Sequence, residues 1–439
     1  MRTIFLPLPL LLALPAAAQE APSPQRLRAD VQKMVSFGTR HTASSATDPK
    51  RGIGAARKWV RSEFDRIGKA CGGCLKSEEI GRVFTGPRAP QGVNVVDVLG
   101  IQPGSEPDRV VILIGHLDSR NSDVMDASGD APGANDDASG VALVLETARI
   151  LSKGKHKATI VYGAMSGEEQ GLWGATLLAE AARDRGWKVD AVLNNDMVGN
   201  TVGQNGTRIA DRVRVFSEGI RQVETIEEAK IRRGNGGEDD GPSRALAKAI
   251  RQTAAAMPGA LEVFAVRRPD RFGRGGDHEA FLRLGYPAVR FTVAAENYDQ
   301  QHQDLRTENG RVYGDTIDKM DFDYAAKVTA INVAVARRLA DAPAAPQGVS
   351  VDGAVSYDST VKWQAVPGAA RYRVHWRRND AQDWTDQRDI TGATELVLKD
   401  VVVDDHFFGV SALSADGSES TVVFAGRGVP NTVPGSATK

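Results

Sequence analysis

Cysteine is scarce in this chain of 439 residues: only Cys71 and Cys74 occur. The count excludes a zinc site built from four cysteines. Outside the cytoplasm, two cysteines at this spacing can close a small disulfide loop. A redox-active Cys-x-x-Cys motif is the alternative, and the absence of a strand–helix–strand pattern around the pair argues against it.

The chain also lacks a charge excess and, beyond its first residues, a long apolar run. Lys plus Arg number 55 and Asp plus Glu 56, a formal net charge of -1, so nucleic acid is not expected as a partner. A positive start, an apolar run over 4–14 and small residues at 16–18 predict a signal peptide at 1–18 and a periplasmic or secreted protein. The run is short for a bilayer span, so a retained anchor is the less favoured alternative, and no membrane partner is expected after cleavage.

The rest of the chain reads as two folded units. From 26 to 341, apolar segments without alternation, such as 110–114, are interleaved with helical periodicity, such as 140–151. This pattern predicts an α/β fold with a mixed, mostly parallel central sheet flanked by helices. After a Pro-rich linker, alternating apolar and polar residues over 346–428 predict a small all-β sandwich.

Acidic and histidine side chains follow the ends of the predicted strands, which is where ligands bind in open α/β sheets. These candidate residues are His116, Asp118, Asp136, Glu168, Glu169, Asp196 and His302, and His278 is an alternative to His302. Two imidazoles and three carboxylates suit a pair of borderline-hard cations that share one carboxylate. Of two adjacent glutamates, one can bind metal while the other acts as general base.

As a set, these motifs resemble the M28 metallopeptidases, a family that includes secreted bacterial leucyl aminopeptidases. The resemblance is carried by segments 115–118, 133–140, 167–169 and 195–197, followed by His302. It implies a zinc exopeptidase-like fold over about 26–340. It also implies an exported enzyme that uses two Zn²⁺ ions to remove N-terminal residues from peptide substrates.

The resemblance implies a metal ligand at each of five positions. Asp136 matches the carboxylate that bridges both zinc ions. His116 and Asp196 match the ligands of one zinc, and Glu169 and His302 match those of the other.

The resemblance also assigns residues that do not bind metal. Glu168 matches the catalytic general base, and Asp118 matches the acid behind His116. Asp277 and His278 match an Asp-His pair before the last active-site strand and are expected in the pocket wall.

The tail resembles a fibronectin type III module, with Trp363 and Tyr372 placed for its core. Such a module on a secreted hydrolase implies binding to a protein or carbohydrate surface, or spacing. The segment 201–243, long and rich in charge and glycine, is expected to cover the cleft or to form a dimer contact.

Three alternatives stay open on the sequence. The arginine cluster of Arg267, Arg268, Arg271 and Arg274 would suit a carboxypeptidase or dipeptidase, because guanidinium groups bind a substrate's C-terminal carboxylate well. A cyclase-like relative with one zinc is the second, and the full bridging set argues against it. The third is a non-catalytic binding protein that uses its β-sandwich.

Overall fold

Strands and helices are mixed up to residue 341, whereas residues 343–426 form only strands, turns and loops. The computed structural model describes residues 20–426, so the predicted signal peptide and the end of the predicted sandwich lie outside the described residues. The helices are α1 (Pro24–Val35), α2 (Ile53–Ala70), α3 (Ala138–Leu151), α4 (Glu168–Gly171), α5 (Trp173–Asp184), α6 (Ile226–Asn235), α7 (Pro242–Ala255), α8 (His278–Leu282) and α9 (Phe322–Asp341). The strands are β1 (Lys76–Gly86), β2 (Ala89–Gln102), β3 (Glu106–His116), β4 (Ala158–Met165), β5 (Lys188–Asn195), β6 (Arg212–Phe216), β7 (Glu262–Val266), β8 (Ala288–Val293), β9 (Arg306–Glu308), β10 (Arg311–Tyr313), β11 (Ser350–Asp352), β12 (Ser359–Lys362), β13 (Arg371–Arg378), β14 (Asp386–Ile390), β15 (Glu395–Leu398), β16 (His406–Leu413) and β17 (Val423–Phe424).

The central sheet has eight strands in the order β1-β2-β4-β3-β5-β8-β6-β7. Strand β3 runs parallel to both β4 and β5, and β5 runs parallel to β8. The pairs β1–β2, β2–β4 and β6–β8 are antiparallel. The prediction of a mixed, mostly parallel sheet is confirmed, and the carboxyl ends of β3, β4, β5 and β8 meet at one edge.

Helices cover both faces of this sheet. Within β3, Val111 and Leu113 belong to the core cluster that includes residues of α1, α2, α3 and α9. Ile112 and Ile114 belong to the cluster on the other face, with residues of α5 and α8. Successive strand residues point to opposite faces, so a strand buried on both sides is apolar throughout, as the sequence indicated.

The sequence analysis missed strands β1, β6 and β7, which lie at or near the two edges of the sheet. Strand β1 is largely exposed, and β7 is only partly buried. Exposed edge strands need no continuous apolar run, and polar residues protect them from pairing with other chains. The apolar periodicity of 171–182 predicts one helix from Gly171, but Leu172 has φ 59° and separates α4 from α5.

The C-terminal strands form two antiparallel sheets, β11-β12-β15 and β14-β13-β16-β17. Both sheets contribute to one core, with Val361 from the first and Val374 from the second. The predicted core residues Trp363 and Tyr372 are buried there, with ring centroids 5.3 Å apart. The prediction of a small all-β sandwich is confirmed.

Part of the segment 201–243 packs against this sandwich and not over the cleft. A Cβ atom at Gly236 would lie 2.9 Å from the ring of Phe407. Asp240 lies 2.5 Å from Arg377 of β13. The same segment lines a cavity of about 450 Å³ with Glu106 and Lys188, which begin β3 and β5. This end of the sheet is opposite the carboxyl edge.

Two smaller expectations can also be compared with the structure. Cys71 and Cys74 form a disulfide just after α2, and the small disulfide loop expected from their spacing is present. Among residues 20–426, no helix has both the length and the apolar character needed to cross a membrane.

Candidate metal centre

His116 is the last residue of β3, and its backbone is fixed by the start of α3. Asp137 caps α3 by accepting a hydrogen bond from the amide of Gly140 at 3.0 Å. Its other carboxylate oxygen accepts from the amide of His116 at 3.0 Å. A Cβ atom at Gly140 would lie 1.9 Å from the carbonyl oxygen of Asn195, so the helix can approach β5 only with glycine there.

Asp136 lies between the two histidines and uses both carboxylate oxygens. Its Oδ1 lies 3.0 Å from Nε2 of His116, and its Oδ2 lies 3.0 Å from Nε2 of His302. The loop is held from behind by Asp315, which accepts from the amides of Asn135 at 2.9 Å and Asp136 at 2.7 Å. Asp136 is therefore positioned to share one carboxylate between two cations.

Glu169 and His302 form one side of the cluster. Glu169 Oε1 lies 2.9 Å from Nε2 of His302. Glu169 Oε2 lies 2.9 Å from Nε of Arg120, and Nη2 of Arg120 lies 2.7 Å from Nδ1 of His302. His302 has φ 56°, an unusual backbone conformation for a residue other than glycine.

Asp196 follows β5 on the other side of the cluster, 3.8 Å from His116 Nε2. A fully buried arginine, Arg290 of β8, lies 2.9 Å from its Oδ1 and donates to its carbonyl oxygen at 2.9 Å. Arg290 also reaches Asp270 at 3.1 Å. Arg290 thereby fixes the carboxylate of Asp196 from behind.

Asp118 was expected to orient His116 through its carboxylate, but in the structure it does so through its carbonyl oxygen. Nδ1 of His116 lies 3.0 Å from the carbonyl oxygen of Asp118 but 3.8 Å from its carboxylate. The carboxylate instead accepts from the amides of Glu168 at 3.3 Å and Glu169 at 3.1 Å. Asp118 thus orients the imidazole through its backbone and the two glutamates through its side chain.

Burial and crowding shift the protonation of these groups. Burial raises the pKa of Glu168 well above its ordinary value. Although burial opposes the change, Glu169 and Asp136 raise the pKa of His302 to about 10. Burial also raises the pKa of Asp277 to about 8, and neither of its oxygens has a hydrogen-bond partner within residues 20–426. The site is strongly acidic and favours cations.

The donor set fits zinc. Two groups of possible ligands share Asp136: one contains His116 and Asp196, and the other contains Glu169 and His302. Within each group, the donor atoms lie within 4.8 Å of one another. Imidazole nitrogens and carboxylate oxygens are ordinary zinc ligands.

Besides Arg290, two buried residues that support the site were missed by the sequence analysis. Arg40 donates to the carbonyl oxygens of Leu117 at 2.7 Å, Pro132 at 2.6 Å and Gly133 at 2.9 Å, which ties together the loops that carry His116 and Asp136. Asp315 is the other. The sequence around a buried arginine such as Arg40 does not differ from that around an exposed one, so its role could not be predicted.

The remaining histidines near the cleft have structural contacts. Nε2 of His41 lies 2.9 Å from the carbonyl oxygen of Val124. His278 begins α8, with Nε2 2.8 Å from the carbonyl oxygen of Pro269. That Asp277 and His278 line the site without binding metal stays a prediction.

The arginine cluster predicted from the sequence is mostly engaged away from the donors. Arg267 pairs with Asp239, and Arg271 pairs with Asp270. Arg268 lies over the ring of Phe272.

Arg274 is the member of the cluster that reaches the site. It contacts Gln301 Oε1 at 3.2 Å, and Gln301 in turn donates to Asp136 Oδ2 at 2.9 Å.

Comparison with known sequences identifies the chain. The family model described as Peptidase family M28 matches residues 94–336. This range contains all of the candidate metal donors. This chain belongs to peptidase family M28. The M28 chain is 41% identical over 409 residues to a probable zinc metalloprotease of Pyrenophora tritici-repentis, covering 92% of this chain and 84% of that protein. It is 42% identical over 419 residues to a probable zinc metalloprotease of Pyricularia oryzae, covering 92% and 83%.

Solved structures agree with this M28 peptidase in fold. A leucine aminopeptidase precursor from Bacteroides thetaiotaomicron has a TM-score of 0.52 at 15% identity, covering 73% of this chain and 99% of that one. The glutaminyl cyclase of Porphyromonas gingivalis has a TM-score of 0.50 at 18% identity, covering 72% and 97%. The M28 chain is a zinc metallopeptidase, and peptides are its expected substrates.

Proposed function

We propose that this M28 peptidase is an exported exopeptidase that uses two zinc ions to release N-terminal residues from peptides. Asp136 would bridge the ions, with His116 and Asp196 on one and Glu169 and His302 on the other. The observation that carries the proposal is the placement of the Asp136 oxygens, each 3.0 Å from a different histidine. Paired metals in hydrolases are commonly bridged in this way.

Specificity for a free N-terminus is supported by the acids near His116. Asp277 is buried and its oxygens have no hydrogen-bond partner among the described residues, and Glu168 lies close enough for electrostatic coupling to it. A substrate ammonium group would donate hydrogen bonds to the unpaired oxygens of Asp277, whereas an acetylated terminus has fewer donors and no charge. Cleavage would then be restricted to chain ends.

Glu168 is proposed as the general base. Zinc, when bound, polarises the scissile carbonyl and makes water a stronger acid. The raised pKa of Glu168 lets it hold the proton removed from the attacking water. Glu168 would then return this proton to the leaving amine, while Asp118 holds the amide of Glu168 in place.

The proposal is tested with a free-amine aminoacyl anilide and its N-acetylated twin, each with and without chelator and added zinc. We expect cleavage of only the free amine, lost with chelator and restored by zinc. Cleavage of the acetylated twin at a similar rate would contradict exopeptidase specificity. Activity that survives complete zinc removal would contradict the metal mechanism.

Export and the role of the tail are further parts of the proposal. The N-terminal segment 1–18 has the pattern of a signal peptide, and the disulfide of Cys71 and Cys74 suits a periplasmic or secreted location. Mass spectrometry of the exported protein should find a chain that begins at Gln19. Retention of the full-length chain in the cytoplasm would contradict export.

The C-terminal sandwich is proposed to be fibronectin type III-like. Its three-stranded and four-stranded antiparallel sheets are consistent with that architecture. It would bind a protein or carbohydrate surface. Pull-down of the enzyme with insoluble polysaccharides and with envelope proteins tests this role. If neither retains the enzyme, the binding role is contradicted and the sandwich is only structural.

A further inference from the structure

Arginines are gathered on one side of the candidate metal cluster. Arg88 donates to the carbonyl oxygen of Glu169 at 2.5 Å. Arg120 contacts the carboxylate of Glu169 and the ring of His302. Arg274 reaches the cluster through Gln301. Three guanidinium groups therefore lie on the side that holds Glu169 and His302.

These arginines remain accessible, unlike the arginine on the opposite side. The side chain of Arg274 is 32% exposed and that of Arg120 is 17% exposed, and Arg88 is an exposed residue. The side chain of Arg290, behind Asp196, is 0% exposed. A ligand in the cleft can meet the first three but not the fourth.

The charge of Arg274 is only partly neutralised by its neighbours. Glu296 is shared by Arg214 at 2.5 Å, Arg271 at 3.2 Å and Arg274 at 3.0 Å. One carboxylate therefore faces several guanidinium groups. Both contacts of Arg274, with Glu296 and with Gln301, use Nη1. Within residues 20–426, its Nη2 and Nε have no hydrogen-bond partner and can donate to a ligand carboxylate.

The two sides of the cluster carry different groups. The acidic side is that of His116. There, a carboxylate oxygen of Glu168 lies within 4.8 Å of a His116 nitrogen, and the buried oxygens of Asp277 have no hydrogen-bond partner among residues 20–426. The arginines lie on the side of His302. A dipeptide spans at most about 7 Å, and the metal donors within each group lie within 4.8 Å of one another. Both charged ends of a dipeptide would thus fall beside the cluster.

We infer that Arg88, Arg120 and Arg274 form a subsite for the free C-terminal carboxylate of a very short peptide. The preferred substrates are zwitterionic dipeptides and tripeptides, whose amine lies on the acidic side and whose carboxylate meets the arginines. This inference rests on the proposed exopeptidase function. Guanidinium groups bind carboxylates through paired, charge-assisted hydrogen bonds, which makes them suited to this recognition.

The test compares Leu-Gly, which has a free carboxylate, with leucylglycinamide, which does not. For the native enzyme, we expect kcat/KM to be at least about tenfold higher for Leu-Gly, since a charge-assisted hydrogen bond is lost with the amide. Arg274→Ala should lower this ratio about tenfold through KM. Arg274→Lys keeps the positive charge but loses the paired donors of the guanidinium group, so it should restore part of the ratio.

Arg267→Ala is the matched control, because Arg267 lies in the same loop but pairs with Asp239. It should keep the native ratio. A second readout is calorimetric binding of Leu-Gly and leucylglycinamide to the Glu168→Gln enzyme with and without Arg274→Ala. Leu-Gly should bind more tightly than leucylglycinamide only when Arg274 is present.

Distinct outcomes would overturn the two proposals. Equal kcat/KM for Leu-Gly and its amide in the native enzyme, or an Arg274→Ala ratio equal to the native ratio, would refute the carboxylate subsite. Absence of cleavage of both Leu-Gly and the free-amine anilide would refute the exopeptidase function instead. Equal calorimetric affinities for the two ligands would refute the subsite even in an enzyme without turnover.

Discussion

Oδ2 of Asp136 lies 3.0 Å from Nε2 of His302, on a loop far from Asp136 in sequence. The other oxygen of the same carboxylate faces His116 at 3.0 Å. Asp136 is consequently shared by these two groups of possible zinc ligands. The stability of the whole centre should depend on it.

Asp136→Asn should therefore lose most bound zinc, because an amide bridges two cations poorly and both groups of ligands lose the shared oxygen. Elemental analysis after dialysis against zinc-free buffer measures the effect. Asp130→Asn is the control, since Asp130 lies on the same loop but pairs with Arg51 at the surface. Full zinc content in Asp136→Asn would show that the carboxylate is not a bridge.

Arg290→Met should destabilise the protein strongly. Asp196 and Asp270 would be left buried without their shared cation, a loss of about 3–5 kcal/mol. Thermal unfolding followed by circular dichroism should show a clear decrease in Tm. Arg283→Met, at an exposed ion pair with Glu279, should change Tm little. Equal shifts in the two variants would mean that Arg290 contributes no more than a surface charge.

Arg377→Ala should loosen the contact between the peptidase unit and the sandwich. Arg377 and Asp240 are both nearly fully buried, and Lys248 lies 2.6 Å from the same aspartate. Removing Arg377 leaves a buried carboxylate with weaker compensation, so Tm and protease resistance should fall.

The neighbouring residue supplies the matched control for this contact. Arg378 pairs with Asp380 and its side chain is 72% exposed. Arg378→Ala should leave both Tm and protease resistance near native values. If Arg377→Ala behaves the same way, the two units are not held together by this ion pair.

Glu419 of the sandwich lies 3.4 Å from Arg338 of α9 and should make the stability of the protein depend on pH. Although burial opposes the change, His375, Arg338 and Ser411 lower the pKa of Glu419 to about 2 from 4.5. A carboxylate with a lowered folded pKa stabilises the fold above its unfolded value, by up to about 3 kcal/mol here. That contribution is lost as pH falls from about 4.5 towards 2.

The measurement is Tm at pH 6 and at pH 3 for the native protein, for Glu419→Gln and for Glu395→Gln. Glu395 is the control because it forms only an exposed pair with Lys362. The native protein and the control should lose more Tm on acidification than Glu419→Gln. Identical losses in all three would contradict a lowered pKa at Glu419.

The sequence predicted the parts of the site that follow strongly apolar strands. Strand β3 is apolar because both of its faces are covered, so the position of His116 at its end could be inferred. Glu169 and Asp196 were found in the same way. Their joint order along the chain then indicated the family.

The supporting arginines and the edge strands were not predicted, for physical reasons. Arg40, Arg120 and Arg290 act through contacts with residues distant in sequence, and a buried arginine has the same local pattern as an exposed one. Strands such as β1 lack an apolar run because they lie at an edge. These features depend on tertiary packing rather than on local periodicity.

Glu168→Gln provides the most direct test of the proposed mechanism. The zinc content of the purified variant and its hydrolysis of a free-amine aminoacyl anilide should be measured on the same sample. We predict native zinc content with kcat lower by a factor of about 10² to 10⁴, since the amide cannot accept the proton. Native zinc content with near-native kcat would contradict the assignment of Glu168 as the general base.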